Sequence, residues 1–371
     1  MSIRTEEMVL NMGPQHPSTH GVLRVELTLD GEVVTDAKSH IGYLHRCFEK
    51  HCEALTYPQI VPYVDRMDYL AAMYNEFAYA VAVEKLLGIK VPERVEYIRV
   101  ILGELQRIAS HLVTLGSFGM DIGAYTPFLY CFRDRESILN IFEAVSGARL
   151  LYNYIWVGGV ARDVPDDFVR LTADFVKTFR KNVKEFNDLL SFNKIFTERT
   201  ANIGILPQKA AINAGITGPN LRASGVKRDL RKDFPYSIYD RFEFDVPVGE
   251  GLMGSVGDSW DRFYVRVLEL EQSLNIIEQA LESFPEGNVH EAVPKRIKPP
   301  VGNVLGRVEN PRGELGYYII SKGQLQPFRV KTKAPSFINL ALLGELCKGH
   351  LVADVVTVIA SIDIVLGEVD R

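Results

Sequence analysis

The sequence predicts an α+β fold, a central bundle of long helices flanked by N-terminal and C-terminal antiparallel β segments. Three observations carry this. Leu23, Val25, Leu27 and Leu29 alternate with Arg24, Glu26 and Thr28, the two-residue period of a half-buried strand. From about Asp65 to Ser283 the apolar spacing becomes helical over long stretches. Strand-like runs return over 302–333, so strands and helices occupy separate parts of the chain. Three parts follow: a β-rich segment over 1–64, a helical bundle over 65–300 with an irregular insertion at about 203–250, and a C-terminal β segment with a terminal helix over 301–371.

The N-terminal strands are expected at Met8–Met12 and Val22–Leu29, and Asp30-Gly31 turns the second back into Glu32–Thr35. The first long helix is expected from Asp65 to Leu87, through Met67, Leu70, Met73, Tyr74, Phe77, Val81 and Leu86, with Gly88 as its stop. A second starts at Pro92 and runs to Gly116; a third covers about 133–154. Asp163-Val164-Pro165 opens a fourth that reaches about Leu190, and a fifth covers about 258–283. The insertion is rich in Gly, Asn and Pro, and a stretch this irregular inside a compact fold is usually functional or at an interface. Strands at Gly302–Val308, Glu314–Ser321 and Phe328–Lys333 are joined by Asn310-Pro311-Arg312-Gly313 and Lys322-Gly323, and a helix begins near Leu351. The pattern leaves open whether the two strand sets share one sheet.

Composition narrows the function classes. The chain has 371 residues, 47% hydrophobic and 24% charged, as globular proteins do. A net charge of −5 gives no footprint for nucleic acid. The start, Met1–Glu7, is polar and does not read as a signal peptide, and no uncharged apolar run is long enough to span a membrane. Cys47, Cys52, Cys131 and Cys347 are too scattered for a disulfide framework and read as cytosolic thiols. Cys47 and Cys52 are separated by four residues, so no C-x-x-C pair exists. His45, Glu49 and Cys52 fall on one helix face, but too few further ligands accompany them, and no metal site is expected from this chain alone. Phosphate-binding glycine motifs and hydrolase motifs are absent.

Four constellations could carry chemistry. Gly13-Pro14-Gln15-His16-Pro17-Ser18-Thr19-His20-Gly21 is a Pro- and Gly-braced turn presenting two imidazoles, the side chain best suited to proton exchange near neutral pH. It reads equally as a polar hairpin loop. In Asp65-Arg66-Met67-Asp68-Tyr69 either aspartate could cap the following helix, Tyr69 could donate a hydrogen bond to a carbonyl, and Arg66 could hold an anion. Asp121 sits in the apolar run Met120-Asp121-Ile122-Gly123 and would need a histidine or arginine partner. Asp363, in the apolar run 359–366, is either functional or tied into a buried hydrogen bond.

Taken together, Gly13–Arg24, Gly42–Lys50, Arg66–Tyr69, Arg107–Leu112, Met120–Pro127, Ser146–Arg149, Gly218–Gly225 with Asp229-Leu230-Arg231, and Ser361–Arg371 resemble, in order and nearly end to end, the D-subunit family of respiratory complex I, the proton-pumping NADH–quinone oxidoreductases. The family is related to the large subunit of nickel–iron hydrogenases and to a plastid counterpart. The resemblance implies a peripheral subunit, inactive alone, at the cytoplasmic face of a bacterial inner membrane. Its partners would be the B, C and I subunits and the H and A membrane subunits. Quinone, ubiquinone or menaquinone, would be the substrate, bound between this chain and the B subunit, whose [4Fe–4S] cluster supplies the electrons; this chain would hold no cofactor itself. By resemblance His20 and Tyr69 hydrogen-bond the quinone head group, His16 shares the loop, Asp121 pairs with His20, and Arg66 and Asp68 shape the site. Asp363 and Val365 line it, and Arg46 lies beside the cluster. A ferredoxin-fed complex would use the same kind of chain. A nickel site would need cysteine pairs near both ends, and 363–367 contains no cysteine.

Two positions depart from the family pattern. Ala71 replaces a small hydroxyl residue of some members, and Leu151 stands where many carry a histidine that makes the cluster potential depend on pH. The cluster potential in this complex is therefore expected to vary less with pH. Redox titration at several pH values checks it, and a slope equal to that of histidine-bearing relatives would remove the expectation.

Overall fold

The computed structural model describes residues 7–15 and 20–371. Near the N-terminus β1 (Glu7–Met12), β2 (Arg24–Asp30) and β3 (Val33–His40) form an antiparallel sheet in that order. Leu23, Val25, Leu27 and Leu29 are buried, as their alternation requires. β3 extends past the expected Thr35. A register break at Thr28/Leu29 puts its buried residues three apart, at Val34 and Ala37, so the simple alternation is lost.

Two short helices follow, α1 (Phe48–His51) and α2 (Tyr57–Val64), the latter opened by a capping box between Thr56 and Gln59. α3 (Ala72–Leu87) starts seven residues later than expected but ends at Gly88 (φ 69°), as the sequence indicated. The delay has a local cause. Asp68 uses its carboxylate to accept the Leu70 N–H (3.1 Å), so the 65–71 stretch forms turns instead of a first helical turn. α4 (Glu93–Asp121) runs through Gly116 and on to Asp121. Gly116 and Gly119 face Cys131 and Leu190 so closely that these glycines serve helix packing and not termination. α5 (Tyr125–Ser146) ends at Gly147 in the left-handed region (φ 81°), whereas periodicity alone placed this helix farther along the chain.

A small hairpin, β4 (Ile155–Trp156) and β5 (Gly159–Val160), precedes α6 (Phe168–Phe186), which continues as a π-helical turn to Ser191. α7 (Lys194–Thr200) precedes the irregular region, which contains only short helical pieces, α8 (Gln208–Asn213), α9 (Pro219–Ala223), α10 (Leu230–Asp233) and a 3-10 turn at Tyr239–Arg241. α11 (Ser259–Glu282) is capped by Asp258, which accepts the Asp261 N–H at 2.8 Å. β6 (Gly302–Asn310), β7 (Gly313–Ser321) and β8 (Arg329–Lys333) form an antiparallel sheet separate from the first. α12 (Pro335–Leu340), α13 (Leu343–Cys347), α14 (Val352–Ile362) and α15 (Leu366–Asp370) follow.

α4 is buried around most of its circumference, at the centre of a bundle with α5, α6 and α11. A second apolar cluster joins the first sheet to α13 and α14, and a third joins α2 and α3 to the second sheet. β6 lies directly on α3: a Cβ at Gly306 would stand 2.5 Å from that of Ala82. Gly306→Ala is therefore expected to cost about 1–3 kcal/mol of stability through overpacking, read by thermal unfolding of the protein. An unchanged transition would mean that strand and helix can separate freely.

Candidate functional site

One face of α4 organises the site. Ser110, Thr114 and Asp121 lie four and then seven residues apart, and so on one side of the helix. Each meets a different segment. Ser110 Oγ accepts from Arg312 Nη1 (3.0 Å), and Thr114 Oγ1 donates to Asp363 Oδ1 (2.8 Å). Asp121 Oδ2 lies 2.6 Å from His20 Nε2. The Asp121 side chain is out of solvent, and that of His20 keeps 16% of its exposure. His16 lies outside the described residues.

Arg312, at the tip of the β6–β7 turn, is the centre of the charge arrangement. It bonds Asp68 Oδ2 at 2.8 Å and sits 3.2 Å from Asp363 Oδ1. Asp363 caps α14 in the left-handed conformation (φ 51°) and also lies 3.7 Å from Arg266. Burial works to raise the Asp363 carboxyl, but Arg312, Arg266 and the Thr114 hydroxyl together hold it below its ordinary value. Asp68 is raised, because burial and the neighbouring Asp363 outweigh Arg312. A third carboxyl, Glu368 on α15, is pushed up to about 8 by burial and by Asp68, while it accepts the Ser336 N–H at 3.0 Å. One guanidinium thus serves three buried acids, and near neutral pH Glu368 keeps its proton.

Tyr69 follows Asp68 directly and is half-buried. Burial and the Asp68 charge raise its phenol, against the opposing cations Arg312 and Arg46, so it remains a hydrogen-bond donor at neutral pH. Arg46 is exposed, and its Nη2 donates to the Arg66 carbonyl at 2.6 Å; Arg66 turns its own guanidinium to the Pro62 carbonyl. α15 lies between this turn and the His20 loop. Gly367 abuts the carbonyls of Arg66 and Met67, and Gly21 faces Leu366. Val365 is buried, and its N–H donates to Ser336 Oγ at 3.1 Å. Asp370 fastens the 42–45 segment, accepting the N–H groups of Gly42 (2.8 Å) and Leu44 (2.7 Å) on its carboxylate, while its carbonyl accepts from His45 Nδ1. His45, Glu49 and Cys52 do not form a ligand set, and no metal-binding group occurs among the described residues.

Sequence reasoning missed Arg312, read only as part of a turn, and a second buried ionic cluster. In that cluster Glu104 accepts from Arg231 Nη1 (3.1 Å), Tyr239 Oη (2.7 Å) and Ser273 Oγ (2.7 Å). Burial would raise Glu104, yet Arg107 and Arg231 outweigh it and bring it down to about 2. His111 Nε2 meets Glu269 Oε2 at 2.9 Å, and Arg222 Nη2 binds the other oxygen of Glu269 at 2.6 Å. The available signal was a run of charges, Arg99, Glu104, Arg107 and His111, within the apolar phase of a long helix.

The chain matches the family described as respiratory-chain NADH dehydrogenase, 49 Kd subunit, over residues 121–299 and 289–371. It belongs to that family. It is 59% identical to the D subunit of the NADH-quinone oxidoreductase of Chlorobaculum tepidum over 99% of this chain and 93% of that protein. With the corresponding D subunit of Chlorobium luteolum it shares 59% identity over 100% of this chain and 94% of the relative.

Removing the central cation tests this electrostatic arrangement. Arg312→Met leaves Asp68 and Asp363 without their shared partner and is expected to cost about 3–5 kcal/mol of stability. The pH sign is also fixed. Because the folded Asp363 is held low, its contribution is present above the ordinary carboxylate range and is lost as pH falls; the variant loses the share of that acid-dependent part that Arg312 supplies, while Arg266 and Thr114 keep theirs. Thermal unfolding from neutral to acidic pH checks both.

Proposed function

We propose that the chain is the quinone-site subunit of a proton-translocating NADH–quinone oxidoreductase. The observation that carries this reading is the grouping of a hydrogen-bonded His20–Asp121 pair and a protonated Tyr69 on the two sides of α15, in a chain of this family. In this reading the quinone head group lies between this chain and the B subunit, whose [4Fe–4S] cluster supplies the electrons. His20 and Tyr69 hydrogen-bond the two carbonyl oxygens; Arg66, Asp68, Asp363 and Val365 line the site, and His16 joins them from the loop. Arg46 faces the cluster and adds positive charge beside it.

Reduction of the quinone takes two electrons and two protons. Tyr69 and His20 stabilise the negative charge that develops on the oxygens and then pass their protons to them. Asp121 keeps the imidazole oriented and balances its positive form. A change in charge at the His20–Asp121 pair would alter the loop that holds His20, a local event of the kind that can bias a larger assembly toward proton translocation. The C and I subunits and the H and A membrane subunits complete the surroundings, with this chain peripheral at the cytoplasmic face of the membrane. The described helices are consistent with that position, since none is long and apolar enough to cross a membrane.

The test is a Tyr69→Phe variant in the complex purified gently through this chain, with subunit composition read by mass spectrometry. The expected outcome is an intact assembly containing the NADH-binding flavin subunit and quinone reduction about a hundredfold slower. Unchanged turnover would remove Tyr69 from the chemistry. An assembly lacking the NADH-binding subunit would favour a ferredoxin-fed complex.

A further inference from the structure

The proposed chemistry leaves one buried acidic pair unused. Asp65 and Glu76 are both fully buried, at the start of the Tyr69 turn and on the first part of α3. Asp65 Oδ2 accepts the Asn153 N–H at 2.9 Å. Glu76 Oε2 accepts the Tyr154 N–H at 2.9 Å and the Ile155 N–H. The remaining oxygens, Asp65 Oδ1 and Glu76 Oε1, have no donor among the described residues, although the two carboxyl groups are within hydrogen-bonding reach of each other. Two carboxylates cannot bond one another. A single hydrogen between them satisfies both orphan oxygens at once.

The surroundings supply no alternative. No arginine or lysine among the described residues bonds either carboxyl. Arg66, next in the chain, acts on Asp65 from a distance while its guanidinium turns to Pro62. Tyr152 and Tyr154 from the segment after α5 face the pair, Tyr317 on β7 senses Asp65 together with Asp68, and Arg135 on α5 acts on Tyr152. The nearby side chains on the packed elements are therefore mainly neutral phenols.

We propose that Asp65 and Glu76 hold one proton between Oδ1 and Oε1, and that this acid–carboxylate clasp fixes the turn bearing Arg66, Asp68 and Tyr69 against the 153–155 segment. The bearing on Tyr69 rests on the quinone-site reading; the clasp itself does not. Burial pushes Asp65 up to about 6 and, with the Asp65 charge, holds Glu76 well above its ordinary value. If the clasp opens, both groups return to water and ionise in the ordinary carboxylate range. The closed form then holds more protons than the open one. Clasp stability is fully present below that ordinary range and declines as pH rises toward the value of the closed Glu76. Above about pH 6, where Asp65 in the closed form ionises, and below the raised value of the closed Glu76, the difference is one proton, so the opening constant rises about tenfold per pH unit.

The amides of Asn153, Tyr154 and Ile155 report this directly, because they donate to the two carboxyls. Their hydrogen exchange is measured in the assembled, membrane-extracted complex across that window, after division by the intrinsic rate. In the parent, protection is expected to fall about tenfold per pH unit. In Glu76→Gln, and separately in Asp65→Asn, an amide N–H replaces the shared proton, the complex assembles, and the slope disappears. A parent profile without slope, or the same slope in both variants, would overturn the proposal. So would failure of both variants to assemble, since the amide supplies the hydrogen the clasp requires. Exchange is read without turnover, so a failed Tyr69 test would leave this result standing, and a flat parent profile would leave the quinone-site reading untouched.

Discussion

Burying a guanidinium is expensive unless its charge is compensated, and Arg312 is compensated only if three distant parts of the chain arrive together. Asp68 comes from the turn before α3, Asp363 from the end of α14, and Ser110 from the middle of α4. The α14 cap takes the left-handed conformation where its aspartate meets Arg312, Arg266 and Thr114. The cation therefore does more than neutralise acids: it ties the turn before α3, the end of α14 and the middle of α4 to one point.

The same constraint separates the buried acids into kinds. Asp363 and Glu104 have cations close enough to outweigh burial and stay ionised. Glu368 lacks a cation of its own and keeps its proton near neutral pH. Acids of both kinds occur within one continuous interior, so the protein carries fixed charge and stored protons beside each other. Tyr69 borders both, next in sequence to Asp68 and acted on by Arg312 and Arg46.

Much of the fold was legible because it follows from local rules. The β2 alternation, the Gly88 stop, the Asp258 cap and the three C-terminal strands follow from residues within a few positions of each other. The errors arose where tertiary contact overrode those rules. Gly116 read as a stop because a glycine in a helix usually marks an end, yet here it makes room for Cys131 and Phe128. Asp65 read as the first residue of a helix, but Asp68 spends its carboxylate on the backbone and on Arg312. Of the site, the residues on the loop, on the turn and at the end of α4 were visible as polar groups in apolar or rigid settings. Arg312 was not, because an arginine in a hairpin turn is ordinarily a surface residue, and only three-dimensional closure buries it.

α4 spans 29 residues, about 43 Å, and ends at Asp121. Along its length Arg99, Glu104, Arg107, Ser110, His111 and Thr114 are each bonded to a different neighbour. A rod pinned at so many points can neither slide nor rotate without breaking buried ionic bonds. Asp121 therefore stands at the end of a helix held by ionic bonds over much of its length, while His20 lies outside the helices. The pair is thus asymmetric: one partner belongs to a pinned helix, the other reaches it from a different part of the chain.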